Sequence, residues 1–161
     1  MAHVAAFRRI QVIDIRAAPE SIPNVEFIQL NLMSIDDSYT EYCDSISSLH
    51  AIEHFGLGRY GDPIDSEGHI RGLDNIYKML KPNGKFYFSV PIGPLRVEFN
   101  AHRVFSIGYL LDLFSRLYRI DSFSFVGDDG KLYENVALTS DIVDTNCGCK
   151  YGCGIFEMTK L

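Results

Sequence analysis

The sequence predicts an α/β sandwich with a mostly parallel sheet closed by an antiparallel C-terminal strand. Three observations point there: apolar runs of strand length recur along the chain, two stretches carry apolar residues at three- and four-residue spacing, and the two kinds alternate. With 161 residues, 47% of them hydrophobic, the chain can bury one substantial core. A single domain over residues 1–161 is therefore expected.

Gln11-Val12-Ile13-Asp14-Ile15-Arg16 is a short apolar run broken by one acid and followed by Pro19 and Pro23, which reads as a buried parallel strand. Val25 to Leu30 alternates more clearly and reads as a second strand, nearer the sheet edge. A third runs around Asp44 to Leu49 and ends in a glycine-rich loop. From Gly68 to Leu80 the apolar positions Ile70, Leu73, Ile76, Tyr77 and Leu80 fall at helical spacing, with Asp65 and Ser66 available as caps. Pro82-Asn83-Gly84 ends that helix. Lys85 to Val90, dense in aromatics and stopped by Pro91, reads as a central strand. Ser106 caps a second helix whose face is Ile107, Leu110, Leu111, Phe114 and Leu117. Phe123 and Phe125 alternate with serines in the next strand, Asp129-Gly130 offers a tight turn, and a last strand runs from Gly154 to Leu161.

A net charge of -6 and a pI of 5.3 argue against nucleic acid or an anionic membrane as partner, since phosphate binding needs clustered cations and Arg8, Arg9 and Arg16 are scattered. No apolar run approaches the roughly 20 residues that span a bilayer, and the N-terminus lacks the organisation of a secretory signal. Cys147, Cys149 and Cys153 crowd together while Cys43 stands alone, unlike an extracellular disulfide framework. These features predict a cytoplasmic protein in a reducing compartment.

Three stretches in this order resemble a class I S-adenosylmethionine-dependent methyltransferase: Val12-Ile13-Asp14-Ile15, Leu49-His50-Ala51-Ile52-Glu53-His54, and Met79-Leu80-Lys81-Pro82-Asn83-Gly84-Lys85-Phe86. A closer resemblance, over nearly the whole chain, is to an uncharacterised branch of that superfamily, a domain family of unknown function. It rests on His50-Ala51-Ile52-Glu53-His54-Phe55-Gly56-Leu57-Gly58-Arg59-Tyr60-Gly61-Asp62-Pro63, on Phe99-Asn100-Ala101-His102-Arg103-Val104-Phe105, and on Asn146-Cys147-Gly148-Cys149. The resemblance implies a three-layer Rossmann-like methyltransferase sandwich, S-adenosylmethionine as cofactor, and a small molecule or glycan intermediate as methyl acceptor. Relatives carry an earlier strand and a glycine-containing loop whose backbone amides approach the cofactor. Residues 1–9 resemble the end of the helix that follows that loop, so the first strand is expected to be missing and the domain truncated. Weak cofactor binding should follow. The strand bearing Asp14 should then pair directly with the strand before His50, or leave a gap that a partner such as a second copy of the chain fills.

Asp14, at the carboxyl end of a predicted strand, is the candidate for the cofactor's ribose hydroxyls, with pairing to Arg16 as the plainer alternative. His50, Glu53 and His54 lie at the mouth of the next parallel strand, with His50 expected beside the cofactor and Glu53 at the substrate. His54 and His102 are the candidate catalytic bases, able to take a proton from an acceptor hydroxyl or amine near neutral pH. Glu53 and His54 could instead only hold the glycine loop. Arg59, Tyr60 and Asp62 in that loop, and Arg103 after the central strand, are candidate substrate contacts, Arg103 being suited to a carboxylate or phosphate. An Ω-loop of purely structural use is the alternative. A non-catalytic binding or assembly module of the same fold is a rival reading. So is a small metal-binding protein using Cys147, Cys149 and Cys153, with Cys43 or a histidine elsewhere as fourth ligand, although buried thiols before an antiparallel strand are the plainer reading of that cluster.

Overall fold

A short helix, α1 (Ala2–Ala5), leads into β1 (Ile10–Asp14), which pairs in parallel with β2 (Val25–Gln29), Ile10 opposite Val25 and Asp14 opposite Gln29. The computed structural model describes residues 2–18 and 22–161. Pro19, expected to punctuate the run after β1, lies outside them. Residues 30–42 cross to the main body, where Asn75 Nδ2 donates to the Leu32 carbonyl at 2.8 Å and the Glu41 amide donates to the Lys78 carbonyl at 2.9 Å.

The main body contains β3 (Cys43–Leu49), α2 (Gly68–Met79), β4 (Leu80–Ile92), β5 (Arg96–Val97), β6 (Arg103–Val104), α3 (Ile107–Phe114), β7 (Tyr118–Val126), β8 (Leu132–Tyr133), α4 (Ser140–Asp144) and β9 (Gly152–Lys160). Five strands form one sheet in the order β3-β4-β9-β7-β8, while β5 and β6 make a small antiparallel ladder apart from it. β3 and β4 are parallel, and β9 runs antiparallel to both β4 and β7. Thus β3, β4 and β7 share one direction and the last strand opposes them, a mixed α/β sheet that is mostly parallel in strand direction and closed by an antiparallel C-terminal strand.

Cross-strand pairing lines up Phe86 with Met158 and Ile120, and Phe88 with Phe156 and Phe123, so these side chains share one face of the sheet. Ile76 from α2 and Phe114 from α3 close over that face, and the Phe123 and Phe156 rings lie 4.8 Å apart within it. Helical spacing explains the helices' contribution, since Leu73, Ile76 and Met79 form one buried stripe. Ser106 Oγ accepts from the Tyr109 amide and starts α3 as expected. At α2 the N-cap position is Glu67, without a side-chain capping bond, and Asp65, two residues before it, accepts from the Glu67 amide. The Pro82-Asn83-Gly84 turn is absorbed into β4 as a bulge: Cys43 faces Leu80, yet Ser45 faces Lys85, and Asn83 takes φ 63°. The opposite face of the sheet is polar, with Lys85 Nζ 2.9 Å from Asp121 and 3.4 Å from Glu157.

Among the described residues β1 pairs with β2 alone, and β3 pairs with β4 alone. The expected direct pairing of the Asp14 strand with the strand before His50 does not form. β3 lines its outer part with Asp44, Ser45 and Ser47, all exposed, and such side chains gain little from burial against a neighbour. No helix among the described residues is long and apolar enough to cross a membrane.

Candidate functional site

Two parallel strands deliver the site, because β1 carries Asp14 to its carboxyl end and β3 carries His50 to its own, the edge where ligands bind in open α/β sheets. Arg16 links them. Its Nε and Nη2 donate to Asp14 Oδ1 and Oδ2 at 3.0 and 2.9 Å, and its amide donates to Oδ1 at 2.9 Å. The guanidinium also lies 4.8 Å from the centre of the Tyr60 ring. Hydrogen bonds from Arg16 hold the Asp14 carboxyl below the usual carboxylate range. The carboxylate expected on a ribose is therefore already engaged by its neighbour two residues on.

After β3, His50 turns through left-handed backbone at φ 53°, and a single 3-10 turn over Ile52–His54 follows. Ile52 is fully buried and fixes this turn against the core, which carries Glu53 inward until its side chain is only 2% exposed. Burial raises the Glu53 carboxyl to about 7. Its Oε1 lies 3.2 Å from His50 Nδ1 and 4.0 Å from His54 Nε2, while Oε2 has no hydrogen-bond partner.

His54 Nδ1 is 2.9 Å from the Ala101 carbonyl oxygen. A carbonyl only accepts, so Nδ1 carries the proton and the neutral ring keeps its lone pair on Nε2. Arg59 Nη1 donates to the same carbonyl at 3.0 Å. The Tyr60 and His102 rings stand edge-on to His54 with centroids 5.2 and 5.9 Å away, and His102 Nε2 lies 2.9 Å from the Tyr151 hydroxyl. Burial lowers the pKa of His50, His54 and His102 alike, which keeps the cluster neutral and able to accept protons near neutral pH.

The loop after His54 is shaped from within. Asp62 Oδ2 accepts from the Gly56 and Gly58 amides at 2.7 and 3.3 Å, and Oδ1 accepts from the Tyr60 amide at 3.3 Å. Buried Arg103 donates to the carbonyls of Phe55 and Ser66 at 2.5 and 3.3 Å, tying the loop's two ends together. Gly56, at φ 75°, passes so close to Asp65 that a β-carbon there would sit 2.0 Å from its carbonyl oxygen. Asp62 and Arg103, both expected at the substrate, thus direct their charge to the loop's own backbone. Asp14 through Arg16, Glu53, His54, Arg59, Tyr60 and His102 form one chain of contacts, with His50 joined to it through Glu53.

Two neighbours of this chain were not among the residues expected from sequence to form the site. Tyr151 meets His102, and Cys153 Sγ lies 3.2 Å from His50 Nε2 across 103 positions. From sequence the Cys147–Cys153 cluster reads as buried thiols or potential metal ligands, not as partners of His50. Among the described residues no group of three or more His, Cys, Asp or Glu side chains is placed to hold a metal ion, so that reading finds no support. Cys43 Sγ instead approaches the Met79 carbonyl, and Cys149 Sγ the Cys147 carbonyl.

Solved structures share this fold. The 1,6-didemethyltoxoflavin-N1-methyltransferase of Burkholderia thailandensis, solved with S-adenosylhomocysteine, matches at 15% identity and a TM-score of 0.62, over 94% of this chain and 61% of that one. The [4+2]-cyclase SpnF matches at 15% identity and a TM-score of 0.67, over 99% of this chain and 70% of that one. The N-methyltransferase NodS of Bradyrhizobium japonicum, also with S-adenosylhomocysteine, matches at 13% identity and a TM-score of 0.55, over 94% and 66%. At such identities the likeness establishes a Rossmann-like methyltransferase fold, and the chain spans less than two thirds of the length of the first and third of these proteins. No curated protein matches the chain. Residues 11–147 match the family described as a Caenorhabditis protein of unknown function, DUF268, and with most of its length inside that match the chain belongs to this family.

Proposed function

We propose that the chain is a methyltransferase-like protein that presents the acceptor side of a methyl-transfer site to a small molecule or glycan intermediate, and that alone it holds S-adenosylmethionine weakly. One observation carries the reading: His54, fixed on the Ala101 carbonyl through Nδ1, leaves Nε2 without a hydrogen bond, 4.0 Å from Glu53 Oε1, with the His102 and Tyr60 rings beside it after the parallel strand β3. A base so placed takes a proton from an acceptor hydroxyl or amine, and Arg59 and Tyr60 border the same space. The histidines must be neutral for this, and their burial favours that form.

The residues fit half of the cofactor. Asp14 stands where a carboxylate receives ribose hydroxyls, although Arg16 must first release one oxygen. When bound, S-adenosylmethionine supplies an electrophilic methyl group, and this chain's part is to orient the acceptor and take its proton. The ligand must displace Arg16 from Asp14, and this competition weakens it. Calorimetry of the chain with S-adenosylmethionine should show binding that Asp14→Ala weakens. Affinity unaffected by Asp14→Ala would remove the cofactor from this reading.

The second reading, a non-catalytic binding module of the same fold, draws on the bidentate closure of Asp14 by Arg16. Complete insensitivity of the His54 and His102 ring signals to added S-adenosylmethionine in NMR would favour it.

A further inference from the structure

The group formed by Cys153, His50 and Glu53 has no part in the reading above, and it has the order of a nucleophile, a base and a group that holds the base. Cys153 Sγ is 3.2 Å from His50 Nε2, and His50 Nδ1 is 3.2 Å from Glu53 Oε1. The three come from the interior of β9, from the residue after β3 and from the 3-10 turn that follows, so the fold, not local sequence, assembles them. His50 is held at φ 53°, a strained conformation for a residue with a β-carbon, and strain of this kind gathers where a side chain must be aimed. Glu53 is buried with Oε2 unpartnered, and a buried polar atom left so calls for an explanation. Beside the thiol lies a cavity of about 150 Å³ walled by Pro91, Val126, Gly127 and Tyr151.

We propose that Cys153 is a nucleophile activated by His50, with Glu53 as the positioning group, and that the adjoining cavity takes a small uncharged acyl ester. Size follows from the volume, about that of five water molecules at roughly 30 Å³ each. Lack of charge follows from walls of proline, valine, glycine and a tyrosine ring. The acyl class follows from the relay, since a base that receives the thiol proton can return it to a leaving oxygen. In the first step the Sγ proton passes to His50 Nε2, Sγ bonds to the acyl carbon, and the ester C–O bond breaks as the departing oxygen takes the proton from Nε2. Water, deprotonated by the same nitrogen, then attacks the thioester carbon. The C–S bond breaks and the thiolate recovers its proton, so that ester and water give acid and alcohol.

The relay works in one protonation state. With Glu53 ionised, His50 Nδ1–H donates to Oε1 and Nε2 can accept from the thiol. With Glu53 protonated, its hydroxyl donates to Nδ1 and Nε2–H points at the sulfur, which leaves no base. Burial keeps the Cys153 thiol protonated, so removal of its proton is needed before attack. His50, His54 and Cys153 are the titratable groups that face Glu53, and burial keeps both histidines neutral around the pH at which Glu53 ionises.

The test uses the full chain with 4-nitrophenyl acetate, following nitrophenolate release and locating the acetyl group by peptide mass mapping. Cys43 and Cys147 serve as internal references, because an unfolded chain would label all four cysteines alike. Cys153 should acetylate at least about 100-fold faster than either reference, and His50→Asn should remove that advantage. The wild-type rate at Cys153 should rise through about pH 7, and Glu53→Gln should abolish that inflection. Acetylation of Cys153 no faster than Cys43 would overturn the proposal, as would an unchanged rate in folded His50→Asn. A wild-type rate that rises only through the ordinary thiol range would do the same.

Discussion

The β1–β2 pair, of five residues a strand, and the five-stranded sheet, whose central strands run to nine and thirteen, both contain apolar strands, yet only one of them makes a core. No residue of β1 or β2 is fully buried, whereas Phe86, Phe88, Val90, Phe156 and Met158 in β4 and β9 are almost entirely removed from water. An apolar run therefore specifies a strand, while burial depends on having a neighbour on each side and a helix across the face. β4 has β3 and β9 as neighbours and lies under α2 and α3, while β1 has β2 alone.

The most direct way to break this comparison is to truncate one side chain in each region. Phe88→Ala should cost about 3 to 5 kcal/mol in a urea melt, against about 1 kcal/mol for Ile13→Ala in β1. Ile76→Ala, on the buried stripe of α2, should fall between them at about 2 to 4 kcal/mol. Equal losses at Phe88 and Ile13 would mean that the two sheets share one core after all.

Glu53 and His69 sharpen the comparison from the side of charge, since both titrate inside the main body. The folded-state carboxyl of Glu53 lies near 7, above its unfolded value, so its protonated form adds stability at low pH that is lost as pH rises from about 4.5 to about 7. Glu53→Gln should therefore gain up to about 3 kcal/mol over wild type at pH 8 and little at pH 4. His69 runs the other way: burial lowers it to about 4, so its contribution is lost as pH falls from about 6.5 to about 4. In wild type the two trends oppose each other over that interval, and a flat stability profile that turns acid-sensitive in Glu53→Gln is the expected result. A variant whose profile parallels that of wild type would show that Glu53 ionises normally.

Hydrogen exchange gives a smaller contrast. Amides of β1 and β2 should open at free energies roughly 2 kcal/mol below those of β4 and β9. Protection that matches across both sheets would indicate a single cooperative unit. Smallest of all, Arg16→Gln should leave the urea melt unchanged within error, because its pair with Asp14 is largely exposed. It should at the same time strengthen S-adenosylmethionine binding, since the freed carboxylate can then meet the ribose.

The main body was legible because its signals are local. Ile107, Leu110 and Phe114 mark their helix by spacing, and Ser106 caps it as the residue type suggests. The alternation of Phe123 and Phe125 with serines marks both the strand and its inward face. What sequence could not supply was partnership. Arg103 reads as a free cation, yet two carbonyls of a distant loop claim it; Asp62 reads as a free acid, yet it organises three amides two to six residues before it. The contact between Cys153 and His50 exists only because β9 inserts beside β4, a pairing that no periodicity announces. The failure of β1 to reach β3 is of the same kind, since each strand alone satisfies the pattern of a paired one.

The place of β9 has a consequence for how the molecule is made. It is the last strand in sequence but lies between β4 and β7, and Lys160 at its end donates to the carbonyls of Tyr77 and Leu80 where α2 passes into β4. On the ribosome, β4 and β7 are complete well before their shared neighbour has emerged, so each offers an unpaired edge and the Phe88 and Phe123 rings lack the Phe156 ring between them. The nascent chain is then most prone to pair with other chains, and the sheet closes only once Gly152–Lys160 have emerged.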